Sequence, residues 1–350
     1  MPVQNAGKVT SKTIAREAGV AQTTVSFVLN GKAKERGISD ETARRVLEIA
    51  EKLNYSPNRL ASSLRRQRSG IVGVLLGSFQ HSWAKDVVMG MQNVFDAQNY
   101  VPFFTMHYHD VEKEREEIQK LLDHRVEAII SYPNDNPNDN YSLILQQHVP
   151  LVLLGDTVQE MPGISYVAWD IESAVRLAMN HLIDTGRRRI AFFGWRIPRP
   201  SHRIRYLTYR KTLEKAGLET HKEWELWFSK EIEVDFPVHQ QLFMNSENRP
   251  DAVLTAGSSL AMHAFHVLKT IGLRVPEDVA VITLNSLEWG RNPFVGLSDV
   301  PFPRYEVGRQ AAETTLKLIQ DPDSGPIQKK IPCEKVSIRN STVREKEISE

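Results

Sequence analysis

The sequence predicts a mixed α/β protein: a small all-α head containing a helix-turn-helix, then a body of two doubly wound parallel-sheet lobes. Three observations lead there. Apolar residues in the first 55 positions recur at helical spacing. From Ile71 onward, short apolar runs alternate with amphipathic stretches, the pattern of parallel sheets covered by helices. Charge also changes between the two parts. Through Ser69 there are 13 basic against six acidic residues, about +7; the 350-residue chain totals +1, leaving about −6 for the rest. A basic head on an acidic body is the footprint of a polyanion-binding module joined to something else.

In the head, Ile14, Ala15 and Ala18, then Val20, then Val25, Val28 and Leu29 predict two short helices sharing one core, with Gly19 at their turn. In a helix-turn-helix the second helix enters the DNA major groove. A third helix runs from Ser39 or Asp40 to about Leu53, with Ser39 as N-cap and Ala43, Val46, Leu47, Ala50 and Leu53 as its apolar stripe. Ser56 and Pro57 then suit the start of a fourth, very short helix whose apolar face is Leu60, Ala61 and Leu64. It is too short to be stable alone and should order only against a partner.

In the body, strands are expected at Ile71–Leu76, Pro102–Tyr108, Glu127–Tyr132, Leu151–Leu154, Arg189–Phe193, Leu226–Phe228, Ala252–Thr255 and Val279–Leu284. Helices fall between them, and a last helix (Tyr305–Gln320) and strand (Lys330–Ile338) close the chain. A single cysteine, Cys333, fits a reducing compartment. Without an apolar run of membrane length or an apolar signal core, the chain is expected in the cytoplasm and away from membranes. No nucleotide-binding loop, nucleophile elbow or zinc-protease motif is present, so no catalytic residue, cofactor or metal is assigned. His107 with His109, and His263 with His266, lack the cysteine or carboxylate companions of a metal site.

Across nearly its whole length the chain resembles the lactose-repressor/galactose-repressor (LacI/GalR) family of bacterial transcription factors. The resemblance rests on Ala15-Arg16-Glu17-Ala18-Gly19-Val20, Thr24-Val25-Ser26, Leu29-Asn30-Gly31, Asn54-Tyr55-Ser56-Pro57-Asn58, His181-Leu182-Ile183, Glu306-Val307-Gly308-Arg309 and Arg339-Asn340-Ser341-Thr342. It implies a homodimeric regulator, usually a repressor, at the bacterial nucleoid, binding palindromic operator DNA and a small effector, possibly a carbohydrate. It also implies a periplasmic-binding-protein-like body whose chain crosses three times between lobes. The expected divisions are a head over 1–55, a hinge helix and linker over 56–70, and a body over 71–350. One lobe takes about 71–168 and 302–330, the other about 169–301 and 331–345.

By the same resemblance, Gln22, Thr23, Ser26, Phe27 and Asn30 face base edges. Gln can bridge adenine N6 and N7, and Thr offers a hydroxyl and a methyl. Thr10, Thr24, Lys32 and Arg59 fit phosphate contacts, which position without specifying. The fourth helix would fold where two copies meet over the operator centre, with Leu64, beside Ala61, wedged into the minor groove. Two residues depart from the family habit. Ala21 stands where the family usually has a capping Ser, and Phe27 stands where it usually has Arg. The loop Lys32–Gly37 is also about three residues longer than expected and adds Lys34 and Arg36, which are expected near the DNA backbone.

The effector positions depart too. Arg205 matches the family's arginine, but Gly257-Ser258 replaces Asn-Asp, and Asn285 replaces Asp. Three readings stay open: a sugar held by Trp83, Trp169 or Trp289 with Arg205, Ser258 and Asn285; a less hydroxylated or anionic ligand; or a cleft without effector control. Outside the regulator class, the alternatives are a soluble sugar-binding protein, opposed by the basic head, and an enzyme carrying a DNA-binding domain.

Overall fold

The computed structural model describes residues 9–55, 68–78, 83–134, 139–155, 163–196, 199–229, 236–285, 290, 292 and 295–344. The chain forms two compact units, 1–69 and 70–350. The expected fourth helix, with Arg59, Ala61 and Leu64, lies outside the described residues.

The head contains α1 (Ser11–Ala18), α2 (Gln22–Leu29), a 3₁₀ turn (Lys34–Arg36) and α3 (Asp40–Lys52). Gly19 ends α1 in the left-handed region (φ 64°), where a Cβ would be strained, and its amide reaches Ala15 and Arg16. Ile14, Ala18, Val25, Val28, Val46 and Ala50 form one buried cluster. Fully burying Ile14, Val25 or Val46 stabilises by roughly 2 kcal/mol each. With so few such residues, a helix cap worth about 1 kcal/mol is a sizeable share of the head's stability. Leu47 corrects the expected stripe of α3: it is half exposed. One residue along from Val46 it is turned about 100° away from the core, and Ile49 packs there in its place.

The body begins with β1 (Ile71–Leu76), α4 (Trp83–Ala97), β2 (Val101–Met106), α5 (Val111–Asp123), β3 (Ala128–Ser131), α6 (Ser142–Gln146), β4 (Leu151–Leu154) and β5 (Ser165–Asp170). It continues with α7 (Ile171–Asp184), β6 (Ile190–Trp195), α8 (Pro200–Lys215), β7 (Glu225–Phe228), α9 (Phe236–Met244), β8 (Ala252–Thr255), α10 (Ser258–Thr270) and β9 (Ala280–Leu284). Last come β10 (Ser298–Val300), α11 (Arg304–Gln320) and β11 (Gln328–Pro332). All pairings within the two sheets are parallel, with orders β11-β5-β4-β3-β1-β2 and β10-β9-β8-β6-β7.

Strand alternation sorts the first sheet's side chains into two layers. Leu75, Ile129, Leu151 and Leu153 meet Ile118 and Leu121 of α5 and Ile144 of α6. Val72, Val74, Ile130, Val152 and Leu154 share the main core with Val87, Met91 and Phe95 of α4 and Val307 and Ala311 of α11. On that face α4 and α11 lie backbone to backbone. A Cβ at Gly90 would overlap the Tyr305 carbonyl oxygen, and one at Gly308 the Val87 carbonyl oxygen.

The chain passes between sheets after Asp170, between Val300 and Arg304, and between Pro332 and Ser337. The first sheet thus keeps the chain to Asp170 and Pro332, two residues beyond each expected lobe limit. Two strands were not expected: β5, whose apolar residues are flanked by Ser165 and Asp170, and three-residue β10. The closing run expected over Lys330–Ile338 divides in two. β11 belongs to the first sheet, whereas Ser337 forms an antiparallel bridge with Asp299 beside the second.

Candidate functional site

The N-terminal halves of α1 and α2 build the candidate nucleic-acid interface. Thr10 caps α1, its hydroxyl oxygen accepting from the Thr13 amide at 3.3 Å while Thr13 Oγ1 accepts from the Thr10 amide at 3.4 Å. With the cap supplied by Thr10 and Thr13, the Ser11 hydroxyl is available to α2, and Gln22 Nε2 donates to Ser11 Oγ at 2.8 Å.

α2 buries Val25 and Val28, so helical spacing puts Gln22, Ser26 and Asn30 in one row and Thr23 and Phe27 in the next. Gln22, Thr23 and Asn30 are exposed; Thr24, Ser26 and Phe27 are half-buried. Asn30 closes the helix, its Nδ2 donating to the Ser26 carbonyl at 2.6 Å. At the other end Ala21 supplies no side-chain cap. The structure therefore brings the predicted base-facing residues of α2 onto one surface, with Lys32 exposed just beyond it.

One partner there is legible only in three dimensions. The Arg36 guanidinium lies over the Phe27 ring, 5.0 Å from its centroid. Gly31, at φ 71°, turns the chain after α2, and the Lys32 amide donates to the Phe27 carbonyl at 2.9 Å, tying the loop to the helix end.

The second candidate site lies where the carboxyl ends of the body's strands meet the crossings, the usual ligand position in open parallel sheets. Trp169, at the end of β5, is 7% exposed and stacks on Phe302 of the middle crossing, centroids 5.8 Å apart. Asn285, at the end of β9, accepts a hydrogen bond from Arg304 Nη2. Arg304 also lies 3.9 Å from Asp86 of α4, so one guanidinium joins the end of the second sheet to a helix of the first. Ser258 opens α10 and Arg205 lies on α8, both buried. Trp83 opens α4 with only its backbone described, and Trp289 lies outside the described residues.

Sequence reasoning missed several residues here. Ser201 is 1% exposed. His202, one turn before Arg205, is pushed down to about 3, first by burial and then by Arg205 and Arg199. Trp195, half-buried at the end of β6, faces the β8–α10 turn, its Nε1 being 3.7 Å from where a Gly257 Cβ would sit. The signal for Trp195 was its place at the carboxyl end of an apolar run; no local pattern marked His202 or Arg304. His263 meets a histidine that spacing did not pair it with: its Nε2 lies 2.8 Å from His239 Nδ1 in the interior. Among the described residues no three His, Cys, Asp or Glu side chains are grouped to hold a metal. No helix among them is long and apolar enough to cross a membrane.

Comparisons with known proteins bear on both units. Residues 10–58 match the profile of bacterial regulatory proteins of the lacI family, and residues 179–342 that of the periplasmic binding protein-like domain. The chain is 28% identical over 317 residues to the HTH-type transcriptional repressor PurR of Aliivibrio fischeri (strain MJ11), covering 90% of this chain and 93% of that protein. It is 27% identical over 315 residues to catabolite control protein A of Staphylococcus xylosus, covering 90% and 94%. Among solved structures, the lac repressor dimer bound to operator and the anti-inducer ONPF shares its fold at TM-score 0.79 and 23% identity, covering 96% of this chain and all of that one. The transcriptional regulator CelR in complex with cellobiose does so at TM-score 0.69 and 23% identity, covering 95% and 99%. The chain thus carries a helix-turn-helix head of the lacI family of bacterial regulatory proteins, followed by a periplasmic-binding-protein-like domain.

Proposed function

We propose that the protein is a ligand-responsive transcriptional repressor that binds a palindromic operator as a homodimer. The observation that carries this reading is the surface of α2, where Gln22, Thr23, Ser26 and Asn30 are arrayed on the side opposite Val25 and Val28. In this reading Thr10, Thr24, Lys32 and Arg59 hold phosphates, and Ala61 and Leu64 act in the minor groove between two copies. The names of the curated relatives, repressors among them, support it. The test is selection of binding sites from random duplex DNA, followed by titration at several salt concentrations. Enrichment of a palindrome with salt-sensitive affinity is expected; failure to enrich any sequence refutes the reading.

The body serves as effector sensor in this proposal. A small molecule, sugar-type in the first reading, sits at the strand ends against Arg205, Ser258 and Asn285 and shifts the lobes, and thereby the spacing of the paired heads. The cellobiose complex of CelR supports a carbohydrate class. A second reading, an anionic ligand, is favoured by the charges of Arg205 and Arg199, which lie close enough to buried His202 to help hold its imidazole below the usual range. A thermal-shift screen of sugars and small organic anions on the full chain separates the two, because a ligand of the folded state must raise its stability. Operator titration with each hit then shows whether the ligand induces or corepresses.

A further inference from the structure

Phe27 and Arg36 form a built pair. Phe27 lies one turn after Thr23 on α2, beside the row of Gln22, Ser26 and Asn30. Its half-buried ring supplies a flat support, and the Arg36 guanidinium carbon sits 5.0 Å from its centroid. The loop carrying Arg36 is braced at each step. The Lys32 amide donates to Phe27 O at 2.9 Å, and the Arg36 amide to Lys32 O and Ala33 O at 3.2 Å each. Gly37 takes φ 65°, and the Ile38 amide returns to Ala33 O at 3.0 Å. Ala33 and Ile38 pack against the head's core, so both feet of the loop are anchored.

A guanidinium lying over an aromatic face keeps its N–H groups pointing outward at its edge, because the ring attracts the cation without accepting those bonds. Arg36 is exposed, and no carboxylate among the described residues pairs with it. A cationic fork is thus held beside the row of base-facing side chains.

We propose that Arg36, stacked on Phe27, is a further base-reading residue, offering its fork to the O6 and N7 acceptors of a guanine in the operator. The longer loop serves as the bracket that returns a guanidinium to a helix surface whose own residue, Phe27, has none. The inference rests on the protein being a sequence-specific DNA binder, as proposed above. It assigns to the Phe27 position a preference for guanine, set by a residue outside the recognition helix.

The test is parallel site selection and fixed-salt titration with the full chain as wild type, Arg36→Ala, Arg36→Lys, Phe27→Ala and Phe27→Tyr. Expected is loss of a guanine preference at one position of each half-site in Arg36→Ala, Arg36→Lys and Phe27→Ala, about tenfold or more. Phe27→Tyr, which keeps the ring, retains the preference. Because Arg36 is exposed, Arg36→Ala and Arg36→Lys should melt like wild type, so their result stands even if Phe27→Ala unfolds the head. A loss spread evenly over all sequences, with the salt slope falling by about one in Arg36→Ala and unchanged in Arg36→Lys, assigns a phosphate and overturns base reading. An Arg36→Ala chain selecting the wild-type site with wild-type affinity overturns the proposal outright. Absence of any enrichment by the wild type overturns instead the underlying reading as a DNA-binding regulator.

Discussion

Gln22 Nε2 donates to Ser11 Oγ at 2.8 Å, so the first residue of α2 is held by the first residue of α1. A carboxamide has two N–H donors and one carbonyl. With one donor fixed on Ser11, the other donor and Oε1 remain, and these are the pair that the N7 and N6 edge of adenine requires. Ser11→Ala should therefore leave Gln22 present but unoriented. Operator affinity is expected to fall about fivefold, with nonspecific affinity at the same salt unchanged. Equal losses on both would show Ser11 to be a phosphate contact instead.

Ala21 leaves the start of α2 without a side-chain cap. Its backbone is already extended (φ −67°, ψ 149°), the conformation a capping residue needs. Ala21→Ser is expected to stabilise α2 by about 1 kcal/mol. Hydrogen exchange of the α2 amides should slow about fivefold, and no slowing would show that those amides are already satisfied in another way.

His202 makes stability pH-dependent. Its folded value, about 3, lies below the ordinary 6.5. As pH falls through about 6.5 the unfolded chain takes up a proton that the folded chain refuses, so the unfolded state gains. Stability should thus drop on acidification from pH 6.5 towards 3. His202→Gln should flatten that decline in melts recorded between pH 7 and 4.5. A small anion seated beside Arg205 would favour the protonated imidazole, so its binding should take up a proton and tighten with acid; a neutral sugar's should not.

Gly308→Ala places a methyl on the Val87 carbonyl oxygen. Backbone cannot swing aside as a long side chain can, so α4 and α11 must separate. A loss of about 3 kcal/mol is expected in denaturant unfolding of the full chain. Gly325→Ala controls for glycine entropy away from any contact, because the space around Gly325 is open, although its φ of 72° adds local strain.

Much of this architecture could be read from residue patterns because apolar runs are strong signals where both faces of a strand are buried. Ile71–Leu76, Leu151–Leu154 and Ala252–Thr255 match the expected strands end to end. β10 escaped notice because three residues carry no period, and β5 because its polar ends blur the run. On α2, Val25 and Val28 fixed the buried side, so the opposite row could be named in advance. The contacts of that row could not: Ser11 reaches Gln22 across a turn, and Arg36 reaches Phe27 from a loop whose length alone drew attention to it. The cleft was harder still. Arg205 was visible by resemblance, whereas Arg304 meets Asn285 only because a chain crossing sets them side by side.

Gly90 and Gly308 give the body a stiff girder. Helices separated by side chains can slide as those side chains change rotamer; helices touching through their backbones have no such lubricant. α4 and α11 must therefore move as one piece, and α11 is entered directly from the crossing that carries Phe302. The two sheets are joined by three chain passages, and there Trp169 stacks on Phe302 and Arg304 donates to Asn285. If an effector sits at Asn285 as proposed, it would press on that junction itself, and α4 and α11 would carry the displacement together.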